Sequence, residues 1–194
     1  DVDEVDAYLI TGSKSSVYDD KPWIATLMDF VRTLNARKKK VVGICFGHQI
    51  VAHALGGKTA KSSKGWGVGR HTHRFDAIPA WHDGGESDFD ILVSHQDQIV
   101  ENANGATVLA SSDFCENAVV QLGDHILTFQ GHPEFVSGYS REIMELRREA
   151  IGESVTLPST LMFDHPTARQ VAVHLEGSQP IAAGARGDAA LTSD

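Results

Sequence analysis

A cysteine flanked by glycines is the first candidate for chemistry in this sequence. Residues 43–47 read Gly-Ile-Cys-Phe-Gly, so that Cys45 has a glycine two positions away on each side. A β-branched run over residues 40–44 predicts a buried strand, and residues 49–55 predict a helix that ends at a glycine pair. The pattern Gly-x-nucleophile-x-Gly is typical of a sharp strand-to-helix turn, and a helix N-terminus favours negative charge on the sulfur. We therefore predict that Cys45 is a thiolate nucleophile.

The base that such a nucleophile needs lies about ninety residues later in the chain. His132 and Glu134 flank Pro133 immediately after residues 126–129, which predict a strand. Proline stiffens the turn, and residues two apart in an extended turn can point to the same side. The spacing allows a relay in which His132 moves the proton of Cys45 and Glu134 holds the tautomer of His132. The alternative is a buried structural cysteine and an unrelated surface turn.

The elements around these residues predict an α/β fold. A strand at residues 7–10 and an amphipathic helix at residues 23–35 precede the cysteine turn. Later strands are predicted at residues 68–75, 91–93, 107–110, 118–122 and 126–129, and a final helix at residues 138–151. This order is typical of a parallel sheet with an antiparallel extension. Ligands bind outside the carboxyl ends of strands in such sheets, which is where Cys45 and His132 are expected.

Composition excludes several other classes of function. The chain of 194 residues is long enough for one domain with a sizeable core, and its net charge of −9 without a long basic run does not suit nucleic-acid binding. No apolar stretch is long enough for a membrane span, and two cysteines with no apolar N-terminal stretch favour a reducing, cytoplasmic location. His71 and His73 are expected to alternate along an exposed strand, so we expect neither a metal nor a cofactor.

These motifs resemble the class I glutamine amidotransferase family, and within it the stand-alone domains related to the amidotransferase half of GMP synthase. The resemblance covers about residues 5–151 and includes Ile-Thr-Gly-Ser at 10–13, Tyr-Asp-Asp-Lys-Pro-Trp at 18–23, Lys-Gly-Trp-Gly-Val-Gly at 64–69, Ser-His-Gln-Asp at 94–97 and His-Pro-Glu at 132–134. It implies a flavodoxin-like α/β fold with a mostly parallel central sheet flanked by helices. The family's first strand and helix are expected to be missing from this sequence.

The resemblance also implies a reaction and a set of site residues. Cys45 would attack the side-chain amide carbon of glutamine or of another γ-glutamyl compound, with His132 as the proton carrier and Glu134 as its orienting partner. Backbone N–H groups of Phe46 and of the turn at Gly12 and Ser13 would hold the oxyanion. Other positions that line the substrate pocket in the family are Gln49, Ser94, His95 and Gln96.

Three functions remain open from the sequence. The first is release of ammonia from glutamine through a cysteine γ-glutamyl thioester, with a separate synthase subunit as the acceptor of the ammonia. The second is a γ-glutamyl peptidase with the same triad, because residues 111–113 and 123–127 resemble plant enzymes of that kind. The third is an inactive fragment or scaffold.

The C-terminal part of the sequence resembles a different family. Residues 157–167 read Leu-Pro-Ser-Thr-Leu-Met-Phe-Asp-His-Pro-Thr, which is similar to the end of an acyl carrier domain of a modular polyketide synthase. The alternative is a chance amphipathic helix after a proline turn. We expect an amidotransferase-like domain over residues 1–152, an acyl-carrier-like segment over residues 153–176 and a disordered tail over residues 177–194.

Overall fold

The computed structural model describes residues 2–152, and over that range it contains nine strands and four helices. In chain order these are β1 (Ala7–Ile10), α1 (Pro22–Ala36), β2 (Lys40–Ile44), α2 (Phe46–Ala54), β3 (Lys58–Lys61), β4 (Gly67–Phe75), β5 (Asp88–His95), β6 (Asp97–Glu101), β7 (Ala106–Ser111), β8 (Val119–Leu122), β9 (Ile126–Phe129), α3 (Ser137–Leu146) and α4 (Arg148–Ile151). The acyl-carrier-like segment and the tail expected after residue 152 lie outside the described residues.

Seven strands form one mixed sheet in the order β1-β2-β9-β8-β7-β4-β5. Strands β1, β2 and β9 are parallel to one another, and every further pair is antiparallel. The predicted α/β sheet with an antiparallel extension is therefore confirmed. Because Ile44 pairs with Phe129, the segments that follow β2 and β9 leave the sheet side by side.

The two faces of the sheet carry separate apolar clusters. Val41 and Ile126 belong to one cluster, whereas their neighbours Ile44 and Leu127 belong to the other, as expected from the alternation of side chains along a strand. The first cluster contains the buried face of α1 and four residues of α2, namely Phe46, Ile50, Val51 and Ala54. Helix α2 is buried along nearly its whole length, so the residue that precedes it is held in a fixed position.

Helix α1 follows from its sequence. Pro22 occupies the first turn, where the missing N–H has no partner to lose. Ile24, Val31 and Leu34 fall on one helical face and are all buried. The first turn of this helix brings Trp23 within 5.5 Å of the ring of Phe46 at the start of α2. The packing joins α1 to the helix behind Cys45.

Some local predictions were wrong. A second, two-stranded sheet of β3 and β6 was not predicted, because β3 is short and polar and a single residue, Gln96, separates β6 from β5. The helix predicted at residues 138–151 is divided at Arg147, whose guanidinium donates to the backbone and hydroxyl oxygens of Ser94. His73 was expected on an exposed strand, but it is buried and stacks on Phe89.

No helix within residues 2–152 combines the length and the apolar character needed to cross a membrane.

Candidate active site

Cys45 lies at the junction of β2 and α2 in a strained backbone conformation. Its φ is 53° and its ψ is −103°, values that L-residues rarely adopt. The N–H of Cys45 donates to the carbonyl of Phe129 at 2.8 Å, and its carbonyl accepts from the N–H of Gln49 at 3.1 Å. Strain of this kind costs about 1–3 kcal/mol and is typical of functional sites. The turn places Cys45 at the N-cap position of α2.

Both glycines beside Cys45 are required by close packing. A Cβ on Gly43 would lie 2.7 Å from the carbonyl oxygen of Gly47. A Cβ on Gly47 would overlap the carbonyl oxygen of Ile10, at the end of β1. The glycine spacing that suggested a nucleophile turn thus has a direct steric cause, which is the close approach of α2 to the ends of β1 and β2.

His132 is held from several directions. Its backbone N–H donates to the carbonyl of Leu92 at 2.8 Å, which bridges the turn after β9 to β5. Its Nδ1 lies 2.8 Å from Oε1 of Glu134. Because a carboxylate only accepts, Nδ1 carries a proton and Nε2 is left for another partner. The imidazole also stacks on Phe135, with ring centroids 3.9 Å apart and an interplanar angle of 13°.

The charge on His132 depends on opposing effects. Burial of the ring acts to lower the pKa of His132, whereas hydrogen bonds to the side chains of Cys45 and Glu134 raise it, and the net result is a pKa of about 9. His132 is therefore an imidazolium at neutral pH. The imidazolium is therefore placed between the side chains of Cys45 and Glu134.

The turn after β1 lies against this pair of residues. A Cβ on Gly12 would be 3.2 Å from Cε1 of His132 and 3.7 Å from Cβ of Cys45. The neighbouring Ser13 is exposed, and its hydroxyl accepts from the N–H of Ser15 at 3.1 Å. Phe46 is the first residue of α2, and N–H groups in the first turn of a helix have no partner within the helix. Cys45, His132, Glu134 and Gly12 therefore form one contiguous group.

The other residues predicted for the pocket are tied into hydrogen bonds of their own. The amide of Gln49 donates to the backbone oxygen of Asp97 at 2.8 Å and to Oε1 of Gln130 at 3.0 Å. The hydroxyl of Ser94 accepts from Arg147 at 2.9 Å. These contacts lead to neighbouring elements and not to the sulfur.

His95 is the last residue of β5, and Gln96 is the single residue between β5 and β6. Nδ1 of His95 donates to the backbone oxygen of Asp97 at 3.2 Å, and burial lowers the pKa of His95 to about 3. This histidine is consequently neutral, with Nε2 as a bare acceptor. Gln96 is half-buried, and its carbonyl accepts from the N–H of Ser62 at 2.9 Å.

Sequence reasoning missed the part that Asp97 plays around the site. The carboxylate of Asp97 accepts hydrogen bonds from the hydroxyls of Ser16 at 2.5 Å and Tyr18 at 2.9 Å. Its backbone oxygen is the one to which Gln49 and His95 donate. The signal available in the sequence was its place in the Ser-His-Gln-Asp segment, which does not reveal contacts with residues about eighty positions away.

The second cysteine has a different environment. Cys115 is only 2% exposed, and burial raises the pKa of its thiol to about 12. A thiol of that kind stays protonated at neutral pH and is a poor nucleophile. Within residues 2–152 no three His, Cys, Asp or Glu side chains are grouped so as to hold a metal ion.

Residues 2–148 match the family model described as glutamine amidotransferase class-I. The chain belongs to the class I glutamine amidotransferase family. It is 36% identical over 150 residues to γ-glutamyl peptidase 3 of Arabidopsis thaliana, a match that covers 74% of this chain and 59% of that protein. It is also 37% identical over 95 residues to the glutamine-hydrolyzing GMP synthase of Aquifex aeolicus, over 48% of this chain and 18% of that protein.

A solved structure supports the fold of this amidotransferase family member. The crystal structure of a glutamine amidotransferase from Methylobacillus flagellatus superimposes with a TM-score of 0.71 at 22% identity, covering 91% of this chain and 72% of that one. The flavodoxin-like α/β fold expected from the resemblance is therefore confirmed. The chain spans about three fifths of the length of the plant peptidase that it matches.

Proposed function

We propose that this domain hydrolyses γ-glutamyl amide bonds through a thioester on Cys45, with glutamine as the substrate and ammonia as the released amine. The observation that carries the proposal is the grouping of Cys45, His132 and Glu134 after two adjacent parallel strands: Nδ1 of His132 lies 2.8 Å from Oε1 of Glu134, and Gly12 packs against both His132 and Cys45. A nucleophile, a proton carrier and an orienting carboxylate in contact are the groups that acyl transfer needs.

In the first half of the reaction, the thiolate of Cys45 attacks the γ-carbonyl carbon of the substrate. Negative charge develops on the carbonyl oxygen, where the N–H groups of Phe46 and of the turn at Gly12 and Ser13 stabilise it. The carbon–nitrogen bond then breaks, and His132 gives its Nε2 proton to the leaving amine. The products of this half are the free amine and a γ-glutamyl thioester.

In the second half, water attacks the thioester carbon while neutral His132 accepts one proton from that water. The carbon–sulfur bond breaks, glutamate leaves, and Cys45 returns to the thiolate opposite a protonated His132. Glu134 keeps the ring oriented and stabilises its positive charge in both halves. The net reaction consumes one water and yields glutamate and one amine.

The destination of the amine defines the biological role. In the arrangement that the family resemblance implies, ammonia passes to a separate synthase subunit. The partial likeness to a glutamine-hydrolyzing GMP synthase supports that arrangement. A second candidate is a γ-glutamyl peptidase, in which the leaving amine belongs to a peptide. The 36% identity to γ-glutamyl peptidase 3 supports this second candidate.

The decisive experiment measures release of ammonia from glutamine and of amines from γ-glutamyl peptides, including glutathione, by the unaltered chain and by Cys45→Ala. We expect Cys45→Ala to lower turnover by about 10⁴-fold or more, His132→Ala to cost nearly as much, and Glu134→Gln to cost less, because the triad acts as a unit. Cys115→Ala is the matched control and should keep its activity, because that thiol is buried and protonated.

The substrates tested together separate the candidate functions. Preference for glutamine supports the amidotransferase reaction, and preference for γ-glutamyl peptides supports the peptidase. Full activity in Cys45→Ala would exclude the proposed mechanism. Absence of turnover, together with absence of a Cys45 adduct after treatment with a diazo-ketone analogue of glutamine, would leave the scaffold function.

A further inference from the structure

The loop that connects β1 to α1 carries the turn at Gly12 and Ser13, yet much of its hydrogen bonding is internal. The carboxylate of Asp19 accepts from the N–H of Ser16 at 3.3 Å and from the Lys21 ammonium at 2.9 Å. Val17, 1% exposed, anchors the middle of the loop in the first apolar cluster. These contacts define the shape of the loop, whose Gly12 lies against Cys45 and His132.

Asp97, the first residue of β6, supplies a further restraint on this loop. Its Oδ2 accepts from the hydroxyl of Ser16 at 2.5 Å, and its Oδ1 accepts from the hydroxyl of Tyr18 at 2.9 Å. Hydrogen bonds to a charged acceptor are stronger than those between neutral groups. Since each carboxylate oxygen holds a loop hydroxyl, Asp97 acts on the loop and not on the substrate.

The same residue is fixed to the helix behind the nucleophile. The backbone oxygen of Asp97 accepts from the side chain of Gln49, which lies one helical turn after Cys45. It also accepts from Nδ1 of His95. Asp97 therefore connects the loop that carries Gly12 to the helix that follows Cys45, so that both parts of the proposed oxyanion hole share one anchor.

We propose that Asp97 is a positioning residue for the oxyanion hole, which it builds by holding the turn at Gly12 and Ser13 in register with the N–H of Phe46. The proposal rests on the proposed acyl-transfer function. Tyr18 is suited to this part, because burial and the adjacent carboxylate raise the pKa of its hydroxyl, which stays a donor. Its ring is 44% exposed, so its hydroxyl can be removed without creating a core cavity.

Two reactions of Cys45 distinguish a displaced turn at Gly12 and Ser13 from a general disturbance of the site around Cys45. Hydrolysis of γ-glutamyl p-nitroanilide places negative charge on the carbonyl oxygen and needs the oxyanion hole. Alkylation by iodoacetamide forms a sulfur–carbon bond as iodide leaves, with no charge on the carbonyl oxygen. A misplaced turn therefore slows the first reaction alone, whereas a damaged cysteine turn slows both.

The experiment measures both reactions in the full chain and in the variants Asp97→Ala, Asp97→Asn and Tyr18→Phe. Matched controls are Asp29→Ala and Tyr8→Phe, because Asp29 pairs with Arg32 on the exposed face of α1 and the Tyr8 hydroxyl donates to the backbone oxygen of Val2. We expect kcat for the anilide to fall roughly 10–100-fold in Asp97→Ala, with a smaller change in KM. Alkylation should stay within about twofold of the unaltered chain. Asn retains one acceptor oxygen, so Asp97→Asn should recover part of the loss.

Unchanged anilide hydrolysis in Asp97→Ala and Tyr18→Phe would overturn the proposal, as would an equal loss of both reactions. An unaltered chain with no hydrolytic activity would instead refute the proposed function. Amide hydrogen exchange then tests whether Asp97 restrains the loop between β1 and α1. Faster exchange over residues 11–21 in Asp97→Ala than in Asp29→Ala supports the restraint, and equal exchange overturns it.

Discussion

The backbone at Cys45 holds this residue between β2 and α2 at the expense of stability. With φ at 53° and ψ at −103°, the residue has a backbone conformation that is strained for any residue with a Cβ. Glycine has no Cβ and adopts this conformation without strain. The strain persists because α2 is buried and the Cys45 N–H is held by Phe129. Reactivity and stability are thus opposed at this one residue.

We predict that Cys45→Gly has a larger free energy of unfolding than Cys45→Ala, by about 1 kcal/mol. Glycine relieves the strain, whereas alanine keeps the Cβ that causes it. At an ordinary position the order is reversed, because glycine gains more conformational entropy on unfolding. Urea unfolding of the two variants gives the comparison, and greater stability of Cys45→Ala would show that the turn is not strained.

The pH dependence of His132 has a defined sign. Because its folded pKa of about 9 lies above the ordinary 6.5, the folded chain binds this proton more tightly than the unfolded chain. The stability that results is complete below about pH 6.5 and is lost as pH rises through 9. In the proposed mechanism, the leaving amine also loses its proton donor over the upper part of this range.

We therefore expect kcat to decline as pH rises through about 9, and the decline to begin at lower pH in Glu134→Gln, which lacks one of the interactions that raise the His132 pKa. Profiles of kcat against pH test this, with Glu101→Gln as a control because Glu101 forms an exposed pair with Lys58. An identical descending limb in Glu134→Gln would contradict the assigned cause.

Single residues were predictable from the sequence to different degrees. Cys45, His132 and Glu134 stood out because their types and spacing suit one reaction and because each follows a strand run. The contacts of Asp97 with Ser16 and Tyr18 were not predictable, because they join segments whose proximity depends on the strand order. Residue type alone does not show which hydroxyl meets which carboxylate.

At the scale of elements, the approach of α2 to the parallel strands is set by glycine. We predict that Gly47→Ala lowers the free energy of unfolding by about 3 kcal/mol, because its Cβ would overlap the carbonyl of Ile10. Gly138→Ala is the matched control, since it lies in α3 with no atom within 4 Å of the added Cβ. It should gain about 0.5 kcal/mol from helix propensity. Chemical denaturation of both variants tests the prediction, which fails if Gly47→Ala is as stable as the unaltered chain.

Elements were predictable where a periodic apolar run marks them. The strand at Ile126–Phe129 and the helix Pro22–Ala36 agree with their predicted positions to within one residue. Strand β3 was missed because only its Thr59 is buried, which leaves no alternating apolar pattern. The break between α3 and α4 was missed because it accompanies the contact of Arg147 with Ser94, a residue on a distant strand.

For the whole molecule, the arrangement of strands decides whether the site exists. The alternation of elements predicted an α/β fold, and the family resemblance supplied its flavodoxin-like form. Neither pattern shows by itself that β2 lies beside β9, although that pairing places Cys45 next to the turn that carries His132. Such pairings are non-local, so they follow from the closure of the whole sheet and not from the preferences of any segment.

The pairing of β2 with β9 has a consequence for the newly made chain. A polypeptide leaving the ribosome exposes Cys45 long before Phe129, which holds its N–H, and before His132, which holds its proton. Domains fold as units once their residues have emerged. The proposed hydrolytic site can therefore form only after translation has passed the His-Pro-Glu segment. In the proposed mechanism, the order of synthesis therefore delays the reactivity of Cys45 until the residues that surround it have been translated and folded.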